Sequence, residues 1–120
     1  MDIANEYVYM FKKNRRLGVI KKNAIMYISC HGRVLHVGTP YIAVEHNGTL
    51  HNARQLLGED DFIQVNKSDL INIKYVIYTD LSTVTMRDGT VFPVTPAYSA
   101  QFGSKILNLY INKDHLSENI

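Results

Sequence analysis

Apolar and polar residues alternate in short runs along most of the chain, and turn-forming residues separate the runs. Tyr7-Val8-Tyr9-Met10-Phe11 is the first β-prone run. Lys12-Lys13-Asn14-Arg15-Arg16 interrupts it and Leu17-Gly18-Val19-Ile20 resumes it, which predicts a hairpin with a basic tip. A helix from Ile3 to Phe11 competes, because Ile3, Tyr7, Met10 and Phe11 share one helical face. The clustering of Tyr and Val favours strands. Ala24 to Cys30 is a longer strand-type run, punctuated by Gly32 and followed by Val34-Leu35-His36-Val37. Gly38-Thr39-Pro40 predicts a turn, and Tyr41 to Glu45 another strand, closed by the tight-turn signal Asn47-Gly48.

The period then changes. Thr49 reads as an N-cap, and Leu50, Ala53, Leu56 and Leu57 as the inner face of a short helix stopped at Gly58. Phe62-Ile63-Gln64-Val65 alternates like a half-buried strand. Leu70, Ile71 and Ile73 form an apolar run whose local conformation the pattern leaves open. Tyr75 to Tyr78 and Thr83 to Met86 read as strands, and Asp88-Gly89 as a hairpin turn into Thr90 to Val94. Pro93 in that strand implies a sheet edge or the end of pairing. Pro96 suits the first turn of a closing helix with Tyr98, Phe102, Ile106 and Leu109 inward. Residues 113–120 read as frayed. The sum is an all-β fold of eight or nine short strands with one short helix in the middle and one at the end.

Composition bounds this picture. The chain has 120 residues, of which 46% are hydrophobic and 20% charged, so a single domain over 1–120 is expected. The lone cysteine, Cys30, excludes an internal disulfide framework and implies a reducing compartment. No apolar run approaches the roughly 20 residues that span a bilayer, and the first residues lack signal-peptide character. A cytoplasmic protein is expected.

Charge adds a direction. From Tyr7 to Val44 there is no acidic residue, yet there are seven basic ones: Lys12, Lys13, Arg15, Arg16, Lys21, Lys22 and Arg33. The remainder carries six basic and eleven acidic residues. Such asymmetry suggests a polyanionic partner.

Catalytic chemistry finds little support. None of the five histidines sits in a helical His-Glu-His pattern, and no ligand cluster for a metal is evident. Cys30 and His31 are adjacent in a strand, so their side chains point to opposite faces and cannot form a nucleophile–base pair. Cys30 reads as a buried small hydrophobe. No phosphate-binding loop or cofactor motif is present, so neither an enzyme, a cofactor nor a small-molecule substrate is expected.

Recognition chemistry gathers at Asn66-Lys67-Ser68. A cation flanked by an amide and a hydroxyl suits phosphate oxygens and base edges, with lysine donating to guanine and asparagine to adenine. Around this point the chain resembles the LytTR-type DNA-binding domains, output modules of many bacterial response regulators. The resemblance runs from about Leu17 to Ile106. Ile25-Met26-Tyr27-Ile28 followed by His31-Gly32-Arg33 resembles one family strand and its turn. Thr49-Leu50 with Leu56 and Leu57 resembles the short helix. Phe62 to Asn72 resembles the motif Phe-x-Arg-x-His-Arg/Lys-Ser-x-Leu-Val-Asn, matched at Phe62, Lys67, Ser68, Leu70 and Asn72. Asp88-Gly89 with Phe92-Pro93-Val94-Thr95 resembles the family hairpin ending in Pro-Val-Ser.

The resemblance implies small antiparallel sheets that bind double-stranded DNA as a transcription regulator, with loops and strand ends in the major groove and two copies on paired sites. It implies DNA contacts at His31, Arg33, Asn66, Lys67 and Ser68. The basic residues Lys12, Lys13, Arg15, Arg16, Lys21 and Lys22 would add phosphate contacts. No receiver domain accompanies these motifs, so the chain is expected to be a stand-alone regulator or a fragment. Four departures stand out. Gln64 replaces the usual arginine, Asn66 the usual histidine, and Asp69 an aromatic or apolar residue. Pro96 and Ala97 replace one or two basic residues used on DNA. They motivate an alternative: a protein-interaction module that kept the fold and lost DNA binding.

Overall fold

Leu70 and Ile71 are consecutive, apolar and fully buried, which a strand achieves only when both of its faces are covered. They lie in β7 (Asp69–Asn72), which pairs with β3 (Tyr27–His31) on one side and β6 (Phe62–Gln64) on the other. β4 (Val34–Gly38) and β5 (Ala43–Asn47) complete an antiparallel five-stranded sheet of order β5-β4-β3-β7-β6. The computed structural model describes residues 7–118, with side chains up to 109.

Alternation along these strands feeds two cores. Ile28, Leu35, Val37, Phe62 and Leu70 face α1 (Leu50–Leu57), meeting Leu50, Ala53 and Leu57. Tyr27, Ile63 and Ile71 face the other way. There they meet a three-stranded sheet of β8 (Val76–Thr79), β9 (Thr83–Met86) and β10 (Val91–Pro93), and the closing helix α2 (Pro96–Glu118). Val84, Met86, Phe92 and Phe102 fill that second core. Each such fully buried aliphatic or aromatic side chain contributes roughly 1.5–3 kcal/mol. Edge strand β10 accommodates Pro93, as its missing donor requires.

Several expectations need correction. The run from Ala24 is not strand throughout: Lys22–Ala24 forms a 3-10 turn, and β3 begins only at Tyr27. Asn47-Gly48 makes no hairpin. It ends β5 and passes directly to Thr49, whose hydroxyl accepts from the Asn52 N–H and caps α1. Leu56 is 49% exposed, because at 100° per residue it lies about 60° beyond Ala53 on the helix flank. Tyr98 is only half-buried, whereas Phe102 is fully so. Helix α2 continues through Glu118, past the point where fraying was expected, while 119–120 lie outside the described residues. The rival N-terminal helix fails over Val8 to Lys13, which is strand; Tyr7 alone of its described residues is helical, and 3–6 lie outside the described range. Cys30 is half-buried rather than buried, its thiol donating to the Gly32 carbonyl.

The hairpin β1 (Val8–Lys13) and β2 (Arg16–Lys21) turns at Asn14-Arg15, both with positive φ, as a tight two-residue hairpin demands. It forms its own two-stranded sheet and, among the described residues, shares no ladder with the rest. Side chains hold it instead. The Tyr9 hydroxyl lies 2.7 Å from His46 Nε2, and the Phe11 ring stacks on the His46 ring at 4.5 Å. His46 Nδ1 is 2.9 Å from the Asn47 carbonyl. A carbonyl only accepts, so Nδ1 carries the proton and Nε2 receives the Tyr9 hydroxyl. Burial pushes the Tyr9 hydroxyl up to about 12. Burial, followed by the nearby Lys13 charge, lowers the His46 pKa, against the opposing Asn47 bond.

Folded His46 therefore resists protonation, and the unfolded chain takes up its proton first as pH falls. This contribution to stability is fully present above the ordinary value of 6.5 and is lost as pH falls below it. Urea midpoints should decline from pH 7 to 5, with a shallower decline in His46→Asn. An equal decline in that variant would refute the assignment.

Candidate nucleic-acid interface

Register decides which residues meet. In the antiparallel sheet, the end of β3 lies beside the start of β7, and the Cys30 N–H donates to the Ser68 carbonyl at 2.8 Å. The corner Val65–Ser68 and the β3–β4 turn thus occupy one end of the sheet. Gly32, at φ +66°, makes that two-residue turn with Arg33. The Gly48 N–H donates to the Arg33 carbonyl, bringing the β5–α1 junction alongside. The Thr95 N–H donates to the Val65 carbonyl, bringing the start of α2 there as well. Lys12, Lys13 and Asn14 share a small cavity with Val34 and Asn47, so the hairpin tip reaches the same end.

Four expected contacts are presented outward. His31, Arg33 and Lys67 are exposed and Ser68 is half-buried. Among the described residues no carboxylate lies within ion-pair distance of Arg33 or Lys67. The His31 ring sits 4.6 Å from that of His36, whose Nδ1 is 3.1 Å from Glu45.

Asn66 differs from the expectation. It is only 6% exposed, and protein partners occupy its amide. Nδ2 donates to Asp69 Oδ2 and to the Pro93 carbonyl, each at 2.8 Å, while Oδ1 accepts from the Ser68 N–H at 2.8 Å. Such an amide shapes the corner and has no donor left for adenine. Asp69 Oδ1 accepts from the Ser29 hydroxyl at 2.7 Å, so the two departures from the family pattern bind each other and the neighbouring strand.

The six hairpin cations also separate. Lys12, Lys13, Arg15 and Arg16 are exposed at the tip, where Lys13 pairs with Arg16. Lys21 pairs with Val8 at the opposite end, five residues along the ladder, or roughly 17 Å away. Lys22 follows it into the 3-10 turn. Sequence adjacency made one cluster where the fold makes two.

A family model described as the LytTr DNA-binding domain matches residues 15–107. The chain belongs to this family. A solved LytTr DNA-binding domain from Bacillus cereus, described as part of a putative methyl-accepting/DNA response regulator, matches with a TM-score of 0.71. The match covers 83% of this chain and 96% of that one at 21% identity, a likeness of fold. None of the curated proteins matches the chain. The LytTr family is one of DNA-binding domains rather than of enzymes. Strand β1 precedes the family match.

Two further features bear on the site. Among the described residues no helix is long and apolar enough to cross a membrane, and no group of three or more His, Cys, Asp or Glu is placed to hold a metal ion. Sequence reasoning missed the partnership of Ser29, Asn66 and Asp69, which only the register of β3 against β7 reveals.

The LytTr corner separates stability from exposure. Asn66→Ala should lower stability by about 2–3 kcal/mol, since it strands buried partners, whereas Lys67→Ala should move it by less than about 0.5 kcal/mol. Urea denaturation of both variants checks this, and equal midpoints would contradict the assignment of Asn66 to the frame.

Proposed function

We propose that the chain binds double-stranded DNA sequence-specifically as a bacterial transcription regulator. The observation that carries this reading is the gathering of Lys67, Ser68, Arg33 and His31 with the basic hairpin tip at one end of the five-stranded sheet. Strand ends and turns protrude there, and the major groove is wide enough for such elements. Lys67 donates to guanine O6 and N7, Arg33 and His31 read or clamp the neighbouring step, and Ser68 takes a phosphate or base edge. Asn66 serves by holding Lys67 and Ser68 in place. Two copies occupy paired sites, and no cofactor or small-molecule substrate takes part.

Division of labour follows from the geometry. Lys12, Lys13, Arg15 and Arg16 lie at the same end of the sheet as the reading corner, on the β4–β5 side, and contact phosphates flanking it. Lys21 and Lys22, at the other end of the hairpin, raise only the general potential. A second reading, a protein-interaction module that no longer binds DNA, is favoured by Pro96 and Ala97, which are exposed and uncharged at the start of α2.

Selection of bound fragments from random DNA supplies the preferred site. Lys67→Ala should then weaken binding to that site by about 1–3 kcal/mol and to random DNA by less. Equal affinity of the folded variant and the wild type for the selected site would support the interaction module. Neutralising the four tip cations should lower the slope of log affinity against log salt by about one unit for each phosphate left without its cation, with sequence preference unchanged. The same change at Lys21 and Lys22 should leave the slope nearly intact, and a larger effect there would overturn the division.

A further inference from the structure

Gln64, the residue before Val65 and the corner, is the departure from the family motif that the DNA reading leaves without a task. Its side chain is half-buried and lies between three elements. Oε1 accepts from Arg54 Nη1 of α1 at 3.1 Å, which fixes the orientation of the amide, since a guanidinium only donates. Nε2 therefore faces the corner. It donates to the Asn66 carbonyl at 2.9 Å, and the Lys67 carbonyl and the Tyr98 hydroxyl each lie 3.4 Å away as acceptors for its second hydrogen. One amide thus joins α1, the start of α2 and the two peptide groups that flank Lys67.

We infer that Gln64 is a positioning residue for DNA reading, clamping the carbonyls of Asn66 and Lys67 so that the Lys67 side chain leaves the sheet in one direction. The inference rests on the DNA reading above. Its chemistry also accounts for the departure from arginine. An arginine at 64 can donate to both carbonyls, but it offers no acceptor to Arg54 and sets two guanidinium groups against each other. Arg54 is 3.8 Å from Glu59 and is 47% exposed at its side chain, so that carboxylate does not neutralise a second cation held closer in. Glutamine at 64 and arginine at 54 are a matched pair.

The test compares Gln64→Ala and the isosteric Gln64→Glu, which keeps the acceptor for Arg54 and removes both donors to the corner. Affinity for the selected site should fall about tenfold in each, the size of one well-made hydrogen-bonded pair, with less than about a twofold change on random DNA in the uncharged Gln64→Ala. In that variant the salt slope should stay constant, since no charge changes and the same phosphates remain neutralised. Amide hydrogen exchange at Lys67 and Ser68, measured without DNA, should quicken while exchange in β3 and β4 does not. The double variant Arg54→Ala, Gln64→Arg should recover discrimination that Gln64→Arg alone lacks.

Unchanged exchange at the corner in folded Gln64→Glu would overturn the clamp. Quickened exchange with undiminished site preference would overturn its role in reading. Should Gln64→Ala not fold, the isosteric variant decides. Should the wild type fail to discriminate between DNA sequences, the DNA reading falls, and the exchange data still judge the clamp.

Discussion

The antiparallel pairing of β3 with β7 determines which ends of the sheet coincide, and the site depends on it. Tyr27 opposes Ile71 and Ser29 opposes Asp69, so the end of one strand meets the beginning of the other. A shift by one residue would exchange the two faces of β7, moving Leu70 and Ile71 into each other's cores. It would also part Ser29 from Asp69. Burial on both faces therefore locks the register, and the register brings the Arg33 turn beside the Lys67 corner. Packing energy far from the exposed cations sets their spacing.

The corner itself is built by polar economy. The carbonyls of Asn66, Lys67 and, from β10, Pro93, together with the Ser68 N–H, find their partners in the side chains of Asn66 and Gln64, and Asp69 holds the Asn66 amide in turn. No buried side-chain polar atom is left without a partner among the described residues. Satisfied networks of this kind rigidify the groups that carry them, because any single loss exposes the cost of the others. Lys67 and Ser68 project from a frame whose own polar groups are engaged elsewhere. A family position that changes here can be tolerated when its neighbours change with it, as the asparagine and the aspartate do.

The elements were readable to different degrees for physical reasons. The hairpin at Asp88-Gly89, the Thr49 cap and the edge position of Pro93 follow from local backbone chemistry, and all three appear as expected. Leu70 and Ile71 stayed ambiguous because a strand buried on both faces has no alternation to read. Asn47-Gly48 misled because the same dipeptide serves a strand-to-helix junction, where its neighbour Thr49 decides. At the site, Lys67 and Arg33 are exposed. The burial of Asn66 was not foreseen, since the Pro93 carbonyl that takes one of its donors comes from β10, distant in sequence. Cations adjacent in sequence ended at opposite ends of a hairpin, because a ladder converts chain separation into distance.

Among the described residues, the hairpin is joined to the sheets by the side chains of Tyr9, Phe11 and His46 and by no backbone ladder. Its outward residues can therefore change without disturbing the register that spaces the corner and the turn. Under selection, the charge at its tip and the identity of the corner are two nearly independent variables. On the function proposed above, a lineage can raise or lower the time its copies dwell on any DNA by exchanging tip residues, and change which sequence it prefers by altering the corner alone.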